Sequence, residues 1–111
     1  MVPKHLSAES ARWVQTILAD AGEEITQTEG LLLVKAAEAF DRAETARRRI
    51  ERDGLVVLDR FGQPKPHPAV AIERDSRAAF ARIVGQLGLD TRDTPSGSYR
   101  GQNGRIYAGR A

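Results

Sequence analysis

The sequence predicts a mainly α-helical fold: a short N-terminal helix, then a long antiparallel helical hairpin joined by a small β-ribbon. Two observations predict this class. Apolar residues recur at helical spacing in three segments, and the proline-rich stretch 54–68 separates the last two. We expect residues 1–90 to form one helical domain and residues 91–111, rich in Gly, Ser, Asn and Arg, to form a flexible basic tail.

The first helix is expected to begin after Ser7 and to end at Gly22. The Ser7 hydroxyl is a suitable N-cap because it can accept a hydrogen bond from an early backbone N–H, and glycine is the usual residue after a helix end. The apolar stripe, which Trp13 borders, comprises Val14, Ile17, Leu18 and Ala21. An amphipathic helix of this kind has to bury its stripe on a larger neighbour.

The second helix is expected to begin at the capping box formed by Thr26 and Glu29 and to run to about Asp53, a length of roughly 40 Å. Alternating steps of three and four residues mark a seam for a neighbouring helix. The seam comprises Leu33, Ala36, Phe40, Ala43, Arg47 and Ile50. Further apolar residues lie beside it, namely Leu31, Leu32, Val34, Ala37 and Ala39. We therefore expect several neighbours, other copies of the chain among them.

The connector between the helices combines a short strand, a turn and three prolines. Residues 55–58 are apolar and favour a β-strand, while Asp59 and Gly62 occupy the first and last positions of a type I turn. Pro68 can open the third helix, since proline at the first helical position loses no hydrogen bond. That helix should end at Gly88 in a Schellman motif. Its main stripe comprises Ala69, Ile72, Ser76, Ala79, Ile83 and Leu87, and Val70, Phe80 and Val84 widen it.

Residue types exclude several classes of chemistry. The chain has no cysteine, and its two histidines, His5 and His67, are far apart in sequence, so no metal-ligand spacing is found. His67 is better explained as a turn or cap residue. No glycine-rich phosphate loop follows a strand. We therefore expect no enzyme activity, no cofactor and no metal.

No apolar run approaches the ~20 residues of a membrane span, and no signal-peptide core is found near Met1. We expect no membrane association and a cytoplasmic location.

The charge is distributed unevenly. The net charge of +2 consists of −1 over residues 1–90 and +3 over residues 91–111. The tail could contact an acidic partner or could simply be a solvated end. Two sets of arginines are candidates for binding phosphates. The first set has acidic residues interleaved with it, so its alternative interpretation is a solvated face of ion pairs. The helical set is Arg47, Arg48, Arg49, Arg74 and Arg77, and the tail set is Arg92, Arg100, Arg105 and Arg110.

Several segments together resemble the phage terminase small subunits, over roughly residues 6–90. They are Leu-Leu-Leu-Val-Lys-Ala-Ala-Glu-Ala-Phe-Asp-Arg (31–42), Ile-Glu-Arg-Asp-Gly-Leu-Val-Val (50–57), Asp-Arg-Phe-Gly-Gln-Pro-Lys-Pro-His-Pro-Ala (59–69) and Leu-Gly-Leu-Asp (87–90). The Gly-Gln-Pro-Lys-Pro-His-Pro piece between two helices is the most specific of them. The N-terminal helix-turn-helix of other small terminases is missing, since the first 25 residues hold one helix.

The resemblance implies a non-catalytic role in viral DNA packaging. Such proteins assemble into homo-oligomeric rings, bind double-stranded viral DNA near the packaging start, and regulate the large subunit that carries the ATPase and nuclease. Their location would be the cytoplasm of an infected bacterial host. The alternative is a structural oligomeric adaptor or virion-assembly protein that does not bind DNA. Salt-sensitive DNA binding separates the two.

Overall fold

Three helices and a β-ribbon form the body of the protein. The computed structural model describes residues 2–89, 104–105 and 108–109, and most of the predicted flexible tail lies outside these residues. The elements are α1 (Ala8–Ala21), α2 (Gln27–Asp53), β1 (Val56–Leu58), β2 (Pro64–Pro66), α3 (Pro68–Leu87), β3 (Gly104–Arg105) and β4 (Ala108–Gly109). Strands β1 and β2 pair antiparallel, as do β3 and β4. The mainly α-helical fold predicted from the sequence is confirmed.

The helix ends follow the predicted capping chemistry. The Ser7 hydroxyl accepts a bond from Ser10 N at 3.1 Å. In α2 the capping box is complete, with Thr26 Oγ1 accepting from Glu29 N at 3.1 Å and Glu29 Oε1 accepting from Thr26 N at 2.9 Å. At the end of α3, Gly88 has a φ of 73° and Leu89 N donates to Val84 O, which is the Schellman pattern.

The ribbon links α2 to α3 through a closed turn. Gly62 N donates to Asp59 O at 2.9 Å, and Asp59 Oδ1 accepts from the backbone N–H groups of Phe61 and Gln63. His67 is the N-cap of α3, as the sequence indicated. Its Nδ1 accepts from Ala69 N at 2.9 Å, while its Nε2 lies 2.9 Å from Asp53 Oδ2 at the end of α2. This contact ties the end of α2 to the start of α3.

The core lies where α1 covers the hairpin of α2 and α3. Its buried members are Leu6, Val14, Leu33, Ala37 and Leu87. Alanines continue the buried seam along α2, namely Ala36, Ala39, Ala43 and Ala46. Small side chains at these positions let the backbones of neighbouring helices approach closely.

A carboxylate and an aromatic cluster fasten α1 to the hairpin. Asp41 accepts bonds from Ser7 N at 2.8 Å, from the Ser7 hydroxyl at 2.7 Å and from the buried Ser10 hydroxyl at 2.9 Å. The ring of Phe80 on α3 lies between Trp13 and Phe40, with centroid distances of 5.5 and 5.6 Å. These tilted arrangements are favourable for aromatic pairs.

Two details of the predicted packing differ. Ile72, which the helical period puts on the main stripe of α3, is 47% exposed. The buried residues of α3 are Ala69, Ser76, Val84 and Leu87, so the stripe runs to one side of Ile72. In addition, most of the surplus apolar surface of α2 packs within one chain. Ala37 and Ala39 are buried, and Leu31 alone among the surplus residues is mostly exposed.

Within the described residues, no helix has both the length and the apolar character needed to cross a membrane.

Candidate nucleic-acid interface

The last third of α2 presents three consecutive arginines to solvent. Arg47, Arg48 and Arg49 are all exposed. Because an α-helix advances about 100° per residue, three consecutive side chains spread over much of the helix circumference. A phosphate-bearing partner could therefore be met from more than one side of α2.

Arg47 is already engaged by acids of its own helix. Its Nε lies 3.2 Å from Glu44 Oε1 and its Nη1 lies 3.4 Å from Glu51 Oε1. Both contacts have helical pairing spacing and are exposed, so they are weak. They nevertheless reduce the electrostatic attraction that Arg47 can exert on a phosphate.

Arg48 and Arg49 differ from Arg47, since neither has a carboxylate oxygen within 4.0 Å among the described residues. Arg48 borders a shallow cleft of about 190 Å³ between the start of α1 and α2. Glu9, Asp41 and Glu44 also line that cleft, and their charge would repel a phosphate. We expect the guanidinium of Arg48 to act from the rim of the cleft.

On α3 the predicted arginines are paired. Arg74 Nε lies 3.2 Å from Asp75 Oδ1, and Arg77 reaches both oxygens of Glu73 at 3.0 and 3.5 Å. Arg82, outside the predicted set, has no ion-pair partner within the described part of α3 or its neighbours. The α3 contribution to a basic surface is therefore weaker than the residue count indicates.

The two helices bring the predicted residues to neighbouring levels. Arg42 Nε donates to the buried Ser76 hydroxyl at 3.0 Å, which fixes the register of α2 against α3. In an antiparallel pair this places Arg74 and Arg77 one to two turns from Arg47–Arg49 along the hairpin axis. The tail residues Arg92, Arg100 and Arg110 lie outside the described residues, and Arg105 is described only as a residue of β3.

Sequence reasoning missed two polar contacts that shape this surface. The pKa of Asp53 is held well below its usual range by hydrogen bonds from Arg52, at 2.7 and 2.9 Å, and from His67. The pKa of Glu38 is lowered by its hydrogen bond with His5 and by Lys35. Each contact with a histidine joins residues distant in the chain, so helical spacing gave no signal for it.

The described residues contain no grouping of three histidine, aspartate or glutamate side chains that could hold a metal ion. The three arginines form a set of exposed cations on one helix, α2. Exposed guanidinium groups have the charge and the hydrogen-bond donors that an anion such as a phosphate requires.

Comparison with known protein families identifies the family to which the chain belongs. The family described as phage terminase, small subunit, matches residues 12–96. The chain belongs to this family. The match spans all of the second and third helices with the ribbon between them. It supports a role in phage DNA packaging for this terminase small subunit. Searches of curated proteins and of solved structures gave no match.

Proposed function

We propose that this terminase small subunit binds double-stranded viral DNA at the packaging start and regulates the large terminase subunit. The binding is carried by arginines that contact phosphates, and the protein itself is non-catalytic. It works as a homo-oligomeric ring in the cytoplasm of the infected bacterial host. The tail residues 91–111 act as an accessory contact.

One observation supports DNA contact on α2 in particular. Arg48 and Arg49 are exposed, adjacent and without a carboxylate partner within the described residues, on a helix that needs no ordering before it binds. Phosphate contacts of this kind position a protein on a duplex without reading its bases. The tail carries a net charge of +3 over residues 91–111, which adds electrostatic attraction.

A ring would strengthen these contacts. Arg48 and Arg49 supply only two phosphate contacts in each chain, so a single copy would bind weakly through them. Several copies held around one duplex present the same pair repeatedly, and linked weak contacts then add through effective concentration. Leu31, 63% exposed on α2, and Ile72 supply apolar surface for neighbouring copies.

The test is duplex binding measured over a range of salt concentrations with Arg48→Gln/Arg49→Gln. Binding that releases counterions has a log–log salt slope of about −0.9 for each phosphate neutralised. We expect the double variant to bind more weakly and to lose about that much slope per contact removed. The matched control is Arg47→Gln, which removes the neighbouring arginine that Glu44 and Glu51 already engage. It should change the slope less.

Light scattering on each variant verifies that the oligomer is intact. A truncated chain lacking residues 91–111 then measures the share of the tail. If the helical variants all had the salt slope of wild type and truncation abolished binding, the binding surface would be the tail and not α2. No retention of DNA by the assembled wild type at low salt would contradict DNA binding itself.

The adaptor function has one observation in its favour. Four of the described arginines, Arg47, Arg52, Arg74 and Arg77, each lie within 4.0 Å of a carboxylate. A surface paired in this way is suited to solvation and to protein contacts as much as to DNA. The absence of any salt-dependent retention of DNA would favour this second candidate.

A further inference from the structure

The β-ribbon has two outer edges with different chemistry. Val57 lies opposite Lys65, and the backbone bonds on either side run from His67 N to Leu55 O and from Asp59 N to Gln63 O. In an antiparallel pair, residues alternate between hydrogen-bonded and non-hydrogen-bonded positions. Val56 and Leu58 therefore turn their N–H and C=O groups outward from β1, and Pro64 and Pro66 occupy the outward positions of β2.

The β2 edge cannot donate hydrogen bonds at those positions, because proline has no backbone N–H. The β1 edge keeps both donors and both acceptors. Within the described residues, the N–H and C=O groups of Val56 and Leu58 have no partner. The ribbon thus has one open edge and one edge that proline blocks.

One face of the ribbon is also apolar throughout. Cross-strand partners share a face, and the pairs are Val56 with Pro66 and Leu58 with Pro64. All four are exposed, with Leu58 at 68%. Phe61 at the turn is 74% exposed under the guanidinium of Arg60, which lies 5.0 Å from its ring centroid. An open strand edge beside an apolar face is a template for an added strand.

We infer that the occupant of this edge is the β1 strand of a second copy, paired antiparallel about Val57. In that register Val56 of one copy faces Leu58 of the other. Their outward N–H and C=O groups make four hydrogen bonds, and the two ribbons form one four-stranded sheet. The edge is self-complementary in its donors, its acceptors and its apolar side chains.

Charge and symmetry both favour a second copy. Residues 55–58 carry no charged side chain, so two such edges meet without like-charge repulsion. The contact is isologous, and the proline edges at the two outer sides of the sheet stop further addition. This contact joins two chains, or two rings, and by itself does not close a ring. It goes beyond the proposed function and does not depend on DNA binding.

The test uses the absence of cysteine in the chain. In the inferred register, Val57 of each copy lies opposite its counterpart in a non-hydrogen-bonded pair, where Cα atoms are about 4.5 Å apart. That separation suits a disulfide. We expect full-length Val57→Cys to form covalent dimers rapidly under mild oxidation. The matched control is Lys65→Cys, which lies opposite Val57 on β2, one strand further from the partner. It should cross-link much more slowly.

A charge exchange examines the same register without a covalent bond. Val56→Glu/Leu58→Glu and Val56→Lys/Leu58→Lys each place like charges opposite one another, so each alone should lose the contact. Mixed in equal amounts, the two proteins should associate again, as measured by sedimentation velocity. Ala19→Lys adds a charge at an exposed position of α1, which packs at the other end of the hairpin, and should leave the ribbon contact intact.

Equal cross-linking at positions 57 and 65, or none at either, would overturn the inferred register. Failure of the mixed acidic and basic proteins to associate would overturn it too. A different result would also overturn the inference. If the copies do not pair but Leu58→Lys abolishes capture of the large terminase subunit, the β1 edge binds the large subunit and not a second copy. Circular dichroism identifies any variant that fails to fold. DNA retention, measured on the same variants, reports separately on the proposed function.

Discussion

The two ends of the helical hairpin bury their apolar side chains to very different extents. At the end that α1 covers, Val14, Leu33 and Leu87 are buried. At the ribbon end, Leu58 and Phe61 are largely exposed. Composition does not explain the contrast, because both ends are rich in large apolar residues. The difference lies in what covers each end.

The two ends of the hairpin differ in role, since the covered end stabilises the fold and the ribbon end is available for recognition. The covered end holds the core, and α1 is fastened there by hydrogen bonds to Asp41. The ribbon end carries exposed apolar side chains, and Arg48 and Arg49 lie between the two ends, in the last third of α2. Substitutions at the covered end should therefore change folding, and substitutions at the ribbon end should mainly change binding.

The largest expected effect is at Leu33, which is fully buried. Leu33→Ala should lower the free energy of unfolding by about 2–5 kcal/mol, because it removes apolar contacts and leaves a cavity. Leu31→Ala, two residues away and 63% exposed, should change it by less than about 0.5 kcal/mol. Urea denaturation at a fixed protein concentration measures both. Similar losses for the two variants would contradict the assignment of the covered end.

The next effect concerns the attachment of α1. Asp41→Ala removes the acceptor of the buried Ser10 hydroxyl and should cost about 1–3 kcal/mol. Hydrogen exchange should increase first in α1. Asp75→Ala removes an exposed carboxylate whose ion pair is with its neighbour Arg74, and it is the matched control. Uniform exchange along all three helices would argue against a local attachment by Asp41.

A smaller effect is expected in the ribbon turn, where Gly62 has a φ of 76°. Gly62→Val should cost about 1–2 kcal/mol, because the left-handed conformation is strained for a residue with a Cβ. Gly85→Ala is the control of opposite sign. It lies inside α3, where the added Cβ would meet no described atom within 4 Å beyond its chain neighbours and the adjacent backbone of the helix, and should stabilise the chain by up to about 1 kcal/mol. Thermal melting distinguishes the two, and equal melting temperatures for wild type and Gly62→Val would contradict the strain.

The smallest effect is the pH dependence of stability contributed by Asp53. Hydrogen bonds from Arg52 and His67 lower the pKa of this carboxyl group. A lowered pKa in the folded state stabilises the fold above the unfolded pKa of aspartate, about 3.9. That contribution is lost as pH falls below this value toward the folded pKa. Asp53→Asn should therefore flatten the acid side of the stability profile.

The control is Asp20→Asn, which removes an equal charge that has no ion pair within the described residues. Its stability profile should stay steeper on the acid side than that of Asp53→Asn. The measurement is the urea midpoint between pH 2 and pH 7. If the profile of Asp53→Asn coincided with that of wild type, the contact between Asp53 and His67 would not contribute to stability.

The helix ends could be predicted from sequence because their causes are local. Ser7, Thr26 and Pro68 each act within one helical turn, and the observed helices begin directly after the first two and at the third. Position on a face is less local. Ile72 fits the helical period of α3 but lies beside the buried stripe, whose direction depends on how α3 crosses α2.

The candidate site was less accessible to sequence reasoning. The identity of the arginines could be predicted, but their pairing depends on which carboxylate each side chain reaches. Arg47 and Arg77 are engaged at helical spacing, whereas Arg48, the next residue after Arg47, has no such partner among the described residues. The contacts of Asp41 with Ser7 and of Asp53 with His67 join residues 34 and 14 positions apart, which no local pattern encodes.

Trp13 is the only tryptophan of the chain, and its ring lies 5.5 Å from that of Phe80 at the junction of α1 and the hairpin. Its indole is half-buried at this junction. Detachment of α1 would transfer the indole to water and shift its fluorescence emission to longer wavelength. The single indole thus reports the docking of α1 optically, without an added label.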